Sequence, residues 1–119
     1  MKATDFLTDM FGLEGKTAVV IGGTGELCSH MALGLAGAGA EVVLVGRNEE
    51  KAAPKLEKIK EMGGKGYFVS ADAGDRTSLN ELLNTVIELS GRTDILVNGA
   101  GINSPTPALE ITDEEFHRI

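Results

Sequence analysis

The 119-residue sequence predicts an α/β fold, an open parallel sheet whose strands are joined by right-handed helical crossovers. Three observations lead there. Short aliphatic runs alternate along the chain with helix-length segments. The first run, 17–21, is apolar without in–out alternation, as a parallel strand covered on both faces is. The first run ends in Gly22-Gly23-Thr24-Gly25, and a helix-length segment follows. Strand, glycine turn and helix in that order make an anion cradle. The turn brings backbone close to a phosphate, and the helix start offers free N–H groups and a partial positive charge. A dinucleotide pyrophosphate is the ligand that this order suits.

Taken in order, residues 1–14 carry Phe6, Leu7, Met10, Phe11 and Leu13 among polar residues, which predicts a short helix or turn laying an apolar edge on the domain. Residues 17–21 are the first strand. Residues 27–38 are the first crossover helix, where Ala32, Gly34, Ala36, Gly37 and Ala38 permit close packing on the sheet and Gly39 provides a stop. Residues 41–45 are the second strand. The helix over 49–62 is amphipathic, with Ala53, Leu56, Ile59, Lys60 and Met62 near one face, and Gly63-Gly64 ends it. Residues 66–71 are the third strand. Residues 78–89 form a helix with Leu79, Leu82, Leu83, Val86 and Ile87 at helical spacing. Residues 94–97 are the fourth strand. Thr112-Asp113-Glu114-Glu115 reads as a capping box that opens a final helix.

Composition bounds the function. Aromatic residues are 4% of the chain, with no Trp and one Tyr, so aliphatic side chains must build the core. A net charge of −7 argues against nucleic acid or an anionic membrane as partner. The single cysteine, Cys28, permits no intrachain disulfide and fits a reducing compartment. Cys28 reads as a small buried residue ahead of a redox or nucleophilic one, and His30 and His117 as surface residues with no metal partner. The N-terminus lacks the basic-then-apolar pattern of a signal peptide, so the expected location is the cytoplasm.

The four strand ends carry the chemistry. The first is Ile21-Gly22-Gly23-Thr24-Gly25-Glu26-Leu27-Cys28; the second is Gly46-Arg47-Asn48; the third is Asp72-Ala73; the fourth is Asn98-Gly99-Ala100-Gly101. In this order they resemble the short-chain dehydrogenase/reductase family, from Leu13 to Ile119. The resemblance covers the cofactor-binding N-terminal half of that family. It implies a Rossmann-type doubly wound sheet in strand order 3-2-1-4, with residues 1–119 forming one dinucleotide-binding domain that is incomplete at its C-terminal side. The family's turn reads Thr-Gly-x-x-Gly-x-x-Gly in one branch. Gly22 and Gly25 match it, Ile21 replaces the threonine and Cys28 replaces the last glycine, which predicts a modestly opened turn. Sugar-acid oxidoreductases of the family, such as D-mannonate oxidoreductase, look similar through this stretch.

By the same resemblance, Gly22, Thr24, Gly25, Glu26 and Leu27 form the pyrophosphate site. Family members specific for NAD(H) carry an acidic residue where this chain has Gly46. Its absence removes repulsion of a 2′-phosphate, and Arg47 can donate a charge-assisted hydrogen bond to one, with Asn48 and Thr24 adding weaker contacts. NADP(H) is therefore the preferred cofactor, with NAD(H) still admitted. Asp72 and Ala73 correspond to the pair that meets the adenine. Asn98, Gly99, Ala100 and Gly101 correspond to the stretch that lines the nicotinamide ribose, with Gly99 standing where the family has a second Asn.

The family's reaction needs a serine and a Tyr-x-x-x-Lys pair in which the tyrosine moves the proton. The one tyrosine here is Tyr67, with Ala71 four residues on, so no catalytic residue is assigned. The main reading is the cofactor-binding half of a nicotinamide-dependent oxidoreductase acting on an alcohol or carbonyl, inactive as these 119 residues alone. Self-association through the bare edge of the fourth strand is expected, and the family resemblance implies a homo-oligomer. A non-catalytic dinucleotide-binding module remains the alternative. An S-adenosylmethionine methyltransferase domain would want an acid at the end of the second strand, where Gly46-Arg47 stands.

Overall fold

The computed structural model describes residues 2–119. Four strands, β1 (Thr17–Ile21), β2 (Glu41–Gly46), β3 (Gly66–Ser70) and β4 (Ile95–Asn98), form one parallel sheet in the order β3-β2-β1-β4. The helices are α1 (Ala3–Phe11), α2 (Glu26–Gly37), α3 (Glu49–Glu61), α4 (Arg76–Ser90) and α5 (Asp113–Arg118). The parallel α/β sheet is the one that the alternation predicts, and its doubly wound strand order is the one that the family resemblance implies.

Side chains alternate across the pleat and build two cores. Ala18, Val20, Val42 and Leu44 face α2 and α3, where Ala32, Ala36 and Ile59 meet them. Val19, Val43 and Val45 face the other way, against Leu82 and Val86 of α4. Both faces of β1 and β2 are covered, which is why those strands show no polar alternation.

Several finer expectations are corrected. α1 forms, but none of its described residues is buried, so Phe6, Leu7, Met10 and Phe11 do not lay an edge on the domain. On α2 the close approach belongs to Ala32 and Ala36; a side chain at Gly34 would meet open space. α3 buries Ala52 and Ile59, with Leu56 half-buried, whereas Ala53 and Met62 are exposed. α4 starts earlier than the apolar spacing suggests, because Asp75 caps it: its Oδ1 accepts the Thr77 N–H at 3.1 Å. Leu83 and Ile87 lie on its open side. Thr112 does cap α5, accepting the Glu115 N–H at 3.2 Å, but the Glu115 carboxylate turns to the Ser104 and Thr106 hydroxyls and leaves the capping box half made.

β4 lies at the sheet edge. Leu96 sits opposite Val19 in register, on the α4 face, and is 61% exposed. At the other end of the strand Asp94 ties β4 to β1: its Oδ2 accepts the Thr17 N–H at 2.8 Å, and Arg92 clasps the carboxylate with two donors. Among the described residues no helix is long and apolar enough to cross a membrane.

Candidate functional site

In an open parallel sheet, ligands bind beyond the carboxyl ends of the strands, where the chain winds outward in both directions. Here that point lies between β1 and β4, since β2 and β3 extend to one side and β4 to the other. A groove of about 660 Å³ opens there. A second groove, of about 750 Å³, lies at the opposite strand ends beside Gly37 and Gly63. Helix C-termini face it, and their carbonyl groups would repel an anion.

The glycine turn is fastened to the sheet by its backbone. Gly22 and Gly23 both donate to the Val45 carbonyl, at 3.0 and 3.1 Å. Gly22 sits at φ +78°, a conformation that favours glycine, and a Cβ there would lie 3.0 Å from the Gly99 carbonyl oxygen. Gly23 is buried, and a Cβ would lie 2.8 Å from the Val20 oxygen. Gly25 caps α2 with ordinary extended backbone. The N–H groups of Glu26, Leu27 and Cys28 then have no backbone acceptor among the described residues, as at any helix start. A turn with glycine at 22, 23 and 25 and three free donors fit a pyrophosphate.

At the end of β2, Gly46 packs directly under Thr24. A Cβ at 46 would stand 2.8 Å from Thr24 Oγ1 and 3.0 Å from its methyl. The threonine thus fills the place from which an acidic side chain would rise. Arg47 is exposed on the groove's rim and makes no ion pair among the described residues. At the end of β3, Asp72 organises a turn, its Oδ1 accepting the Gly74 N–H at 2.9 Å and its own N–H donating to Ser78 Oγ.

The groove brings together Gly22, Thr24, Gly25, Arg47, Asp72, Ala73, Gly99, Ala100 and Gly101. Four sequence-predicted site residues do not line it. The Glu26 and Leu27 side chains point to solvent, with Glu26 3.8 Å from Lys55, and only their backbone N–H groups are placed for an anion. The Asn48 Oδ1 caps α3 by accepting the Lys51 N–H. Asn98 lies in β4 opposite Ile21. Ile21, Val45, Gly46, Ala71, Gly74 and Ile102 also line the groove. Ile21 and Gly46 open two of the strand-end motifs and the others sit just before or after one, which was the signal that could have found them. The Cys28 sulfur packs over Gly99.

The family model for short chain dehydrogenases matches residues 16–119. The chain belongs to the short-chain dehydrogenase family. Among its relatives, the uncharacterized oxidoreductase UxuB of Bacillus subtilis is 43% identical over 105 residues, covering 88% of this chain and 37% of that protein. A short-chain type dehydrogenase/reductase from Mycobacterium marinum superposes with a TM-score of 0.88 at 31% identity, over 95% of this chain and 46% of the other. A 3-oxoacyl (acyl-carrier-protein) reductase from Agrobacterium tumefaciens, solved with NADP bound, has a TM-score of 0.82 at 29% identity, over 92% of this chain and 42% of the other. The chain spans less than half the length of these relatives.

Within this short-chain dehydrogenase domain, Tyr67 is no proton donor for the groove. It lies in β3 on the α4 face and does not line the groove. The Glu41 carboxylate beside it, with some burial and a hydrogen bond, raises its pKa above the ordinary phenol value. A catalytic tyrosine needs the opposite influence.

Proposed function

We propose that these residues form the cofactor-binding part of a nicotinamide-dependent oxidoreductase that interconverts an alcohol and a carbonyl. The observation that carries this is the convergence of the Gly22–Gly25 turn, Arg47, Asp72 and residues 99–101 on one groove at the sheet's switch point. In this reading the free N–H groups at the start of α2 hold the pyrophosphate. Asp72 lies beside the adenine, and residues 99–101 lie beside the nicotinamide ribose. When bound, the nicotinamide ring supplies or accepts hydride. This chain's residues bind and orient it. They include no Tyr-x-x-x-Lys, so the proton donor comes from outside these 119 residues, which alone are inactive.

NADP(H) is preferred over NAD(H). Gly46 with Thr24 above it leaves no carboxylate to repel a 2′-phosphate, and Arg47 is free to grip one. NADP in the Agrobacterium tumefaciens reductase supports a nicotinamide cofactor. The resemblance of Gly22–Cys28 to sugar-acid oxidoreductases supports a sugar acid as substrate. The exposed Leu96 at the open sheet edge supports self-association. The single cysteine and the charge of −7 support a cytoplasmic setting without nucleic acid or membrane partners.

Calorimetric titration with NADPH and NADH tests this, with Gly25→Val as the control. Gly25 has φ −78°, which valine can adopt, and a Cβ there meets only the Gly22 oxygen, at a tight 3.2 Å that a shift of a few tenths of an ångström relieves. Its methyl groups fill the space for the phosphates. Binding should disappear while the circular dichroism spectrum is kept. Unchanged binding in that variant places the pyrophosphate elsewhere.

A further inference from the structure

Two departures from the family's sequence pattern, Cys28 for glycine and Gly99 for asparagine, are far apart in the chain and meet in space. A Cβ at residue 99 would lie 2.2 Å from Cys28 Sγ. No side chain at 99 can coexist with the sulfur where it stands. We propose that Cys28 and Gly99 are a complementary pair: the thiol occupies the volume of a residue-99 side chain and thereby positions the β4 loop against the glycine turn.

Three contacts meet at this seam. The Gly99 N–H donates to the Ile21 carbonyl at 3.0 Å. The Gly99 carbonyl oxygen stands 3.0 Å from where a Cβ on Gly22 would be. The Cys28 sulfur covers the Gly99 Cα from the third residue of α2. Cys28 is 9% exposed, so its sulfur acts as packing volume and not as a surface thiol. The seam joins the turn, placed for the pyrophosphate, to the loop placed for the nicotinamide ribose. Its closure sets the distance between the two halves of the groove. Cys28 and Gly99 are thus positioning residues for the dinucleotide. The effect on affinity rests on the cofactor reading above; the packing itself does not.

The test is a double-mutant cycle in the intact protein with Cys28→Ala, Gly99→Ala and the pair. Melting temperature reads the packing. NADPH and NADH titrations, at a temperature where all variants are folded, read the site. Gly99→Ala alone should lower the melting temperature and weaken the dinucleotide at least about tenfold. When Cys28→Ala is already present, both losses should be smaller, because the clash with the sulfur is gone. A cost should remain in both backgrounds from the Ile21 carbonyl oxygen, a backbone atom 2.7 Å from the same Cβ position. If Gly99→Ala does not fold, recovery of folding in the double variant becomes the readout. Equal losses in both backgrounds, or no recovery, overturn the pairing. A parent protein that binds neither dinucleotide sinks the cofactor reading, while the melting cycle still decides the pair.

Discussion

Replacing Arg47 with Ala should separate the two nicotinamide cofactors. Arg47 follows Gly46 at the end of β2 and stands exposed on the groove's rim. It packs in neither core, so its removal should leave the melting temperature unchanged. A hydrogen bond to a charged group contributes about 1.5–3 kcal/mol, and solvent exposure places this one toward the lower end. A loss of about 1.5–2 kcal/mol corresponds to roughly a ten- to thirtyfold rise in the Kd for NADPH. NADH carries no 2′-phosphate and should change by less than about twofold. The loss should also shrink in high salt, since exposed charges are screened over about 8 Å at physiological ionic strength. Arg47→Lys should keep the charge but lose the planar fork and fall between the two. Calorimetry or NADPH fluorescence at two salt concentrations reads all of this. Equal losses for NADPH and NADH would show that Arg47 supports the groove's shape and does not read the phosphate.

Gly46→Asp, the obvious way to recruit NADH, should instead weaken both cofactors, because the new Cβ meets Thr24 at 2.8 Å; adding Thr24→Gly should restore NADH binding, and recovery without the second change would refute the steric reading. The Asp94 carboxyl is held below its ordinary pKa of 3.8 first by Arg92 and then by the Thr17 N–H. A depressed folded-state pKa contributes stability above the unfolded value, so this contribution is present above pH 3.8 and is lost as pH falls from there through the lowered value. Thermal melts of Asp94→Asn across the acid range up to neutral pH should accordingly show a flatter acid limb than the parent. Leu96→Lys should reduce self-association of the 119-residue chain in sedimentation velocity; a parent chain that sediments as a monomer at micromolar concentration would remove the reason for the variant.

Sequence alone determined the alternation of strands and helices, the parallel sheet and the place of the glycine turn. These rest on local signals: aliphatic runs covered on both faces, glycine where the backbone must turn, and helical spacing of leucines. Most of the groove's residues were picked out by the family resemblance at the strand ends, which a parallel sheet gathers on one side. The helix faces were only partly legible. Leu83 and Ile87 share the apolar spacing of Leu82 and Val86, and only the position of α4 on the sheet decides which pair is covered. α1 shows the same limit, since amphipathic spacing does not say whether a partner surface exists. The sequence did not show that the Asn48 Oδ1 caps α3, which places the residue off the groove's lining. The tertiary structure alone decided how the departures from the family pattern fit together. Thr24 lies over Gly46, and Cys28 lies over Gly99. Each pair is distant in sequence, and whether a missing side chain is a loss or a vacancy already filled depends on what the fold brings to within a few ångströms of it.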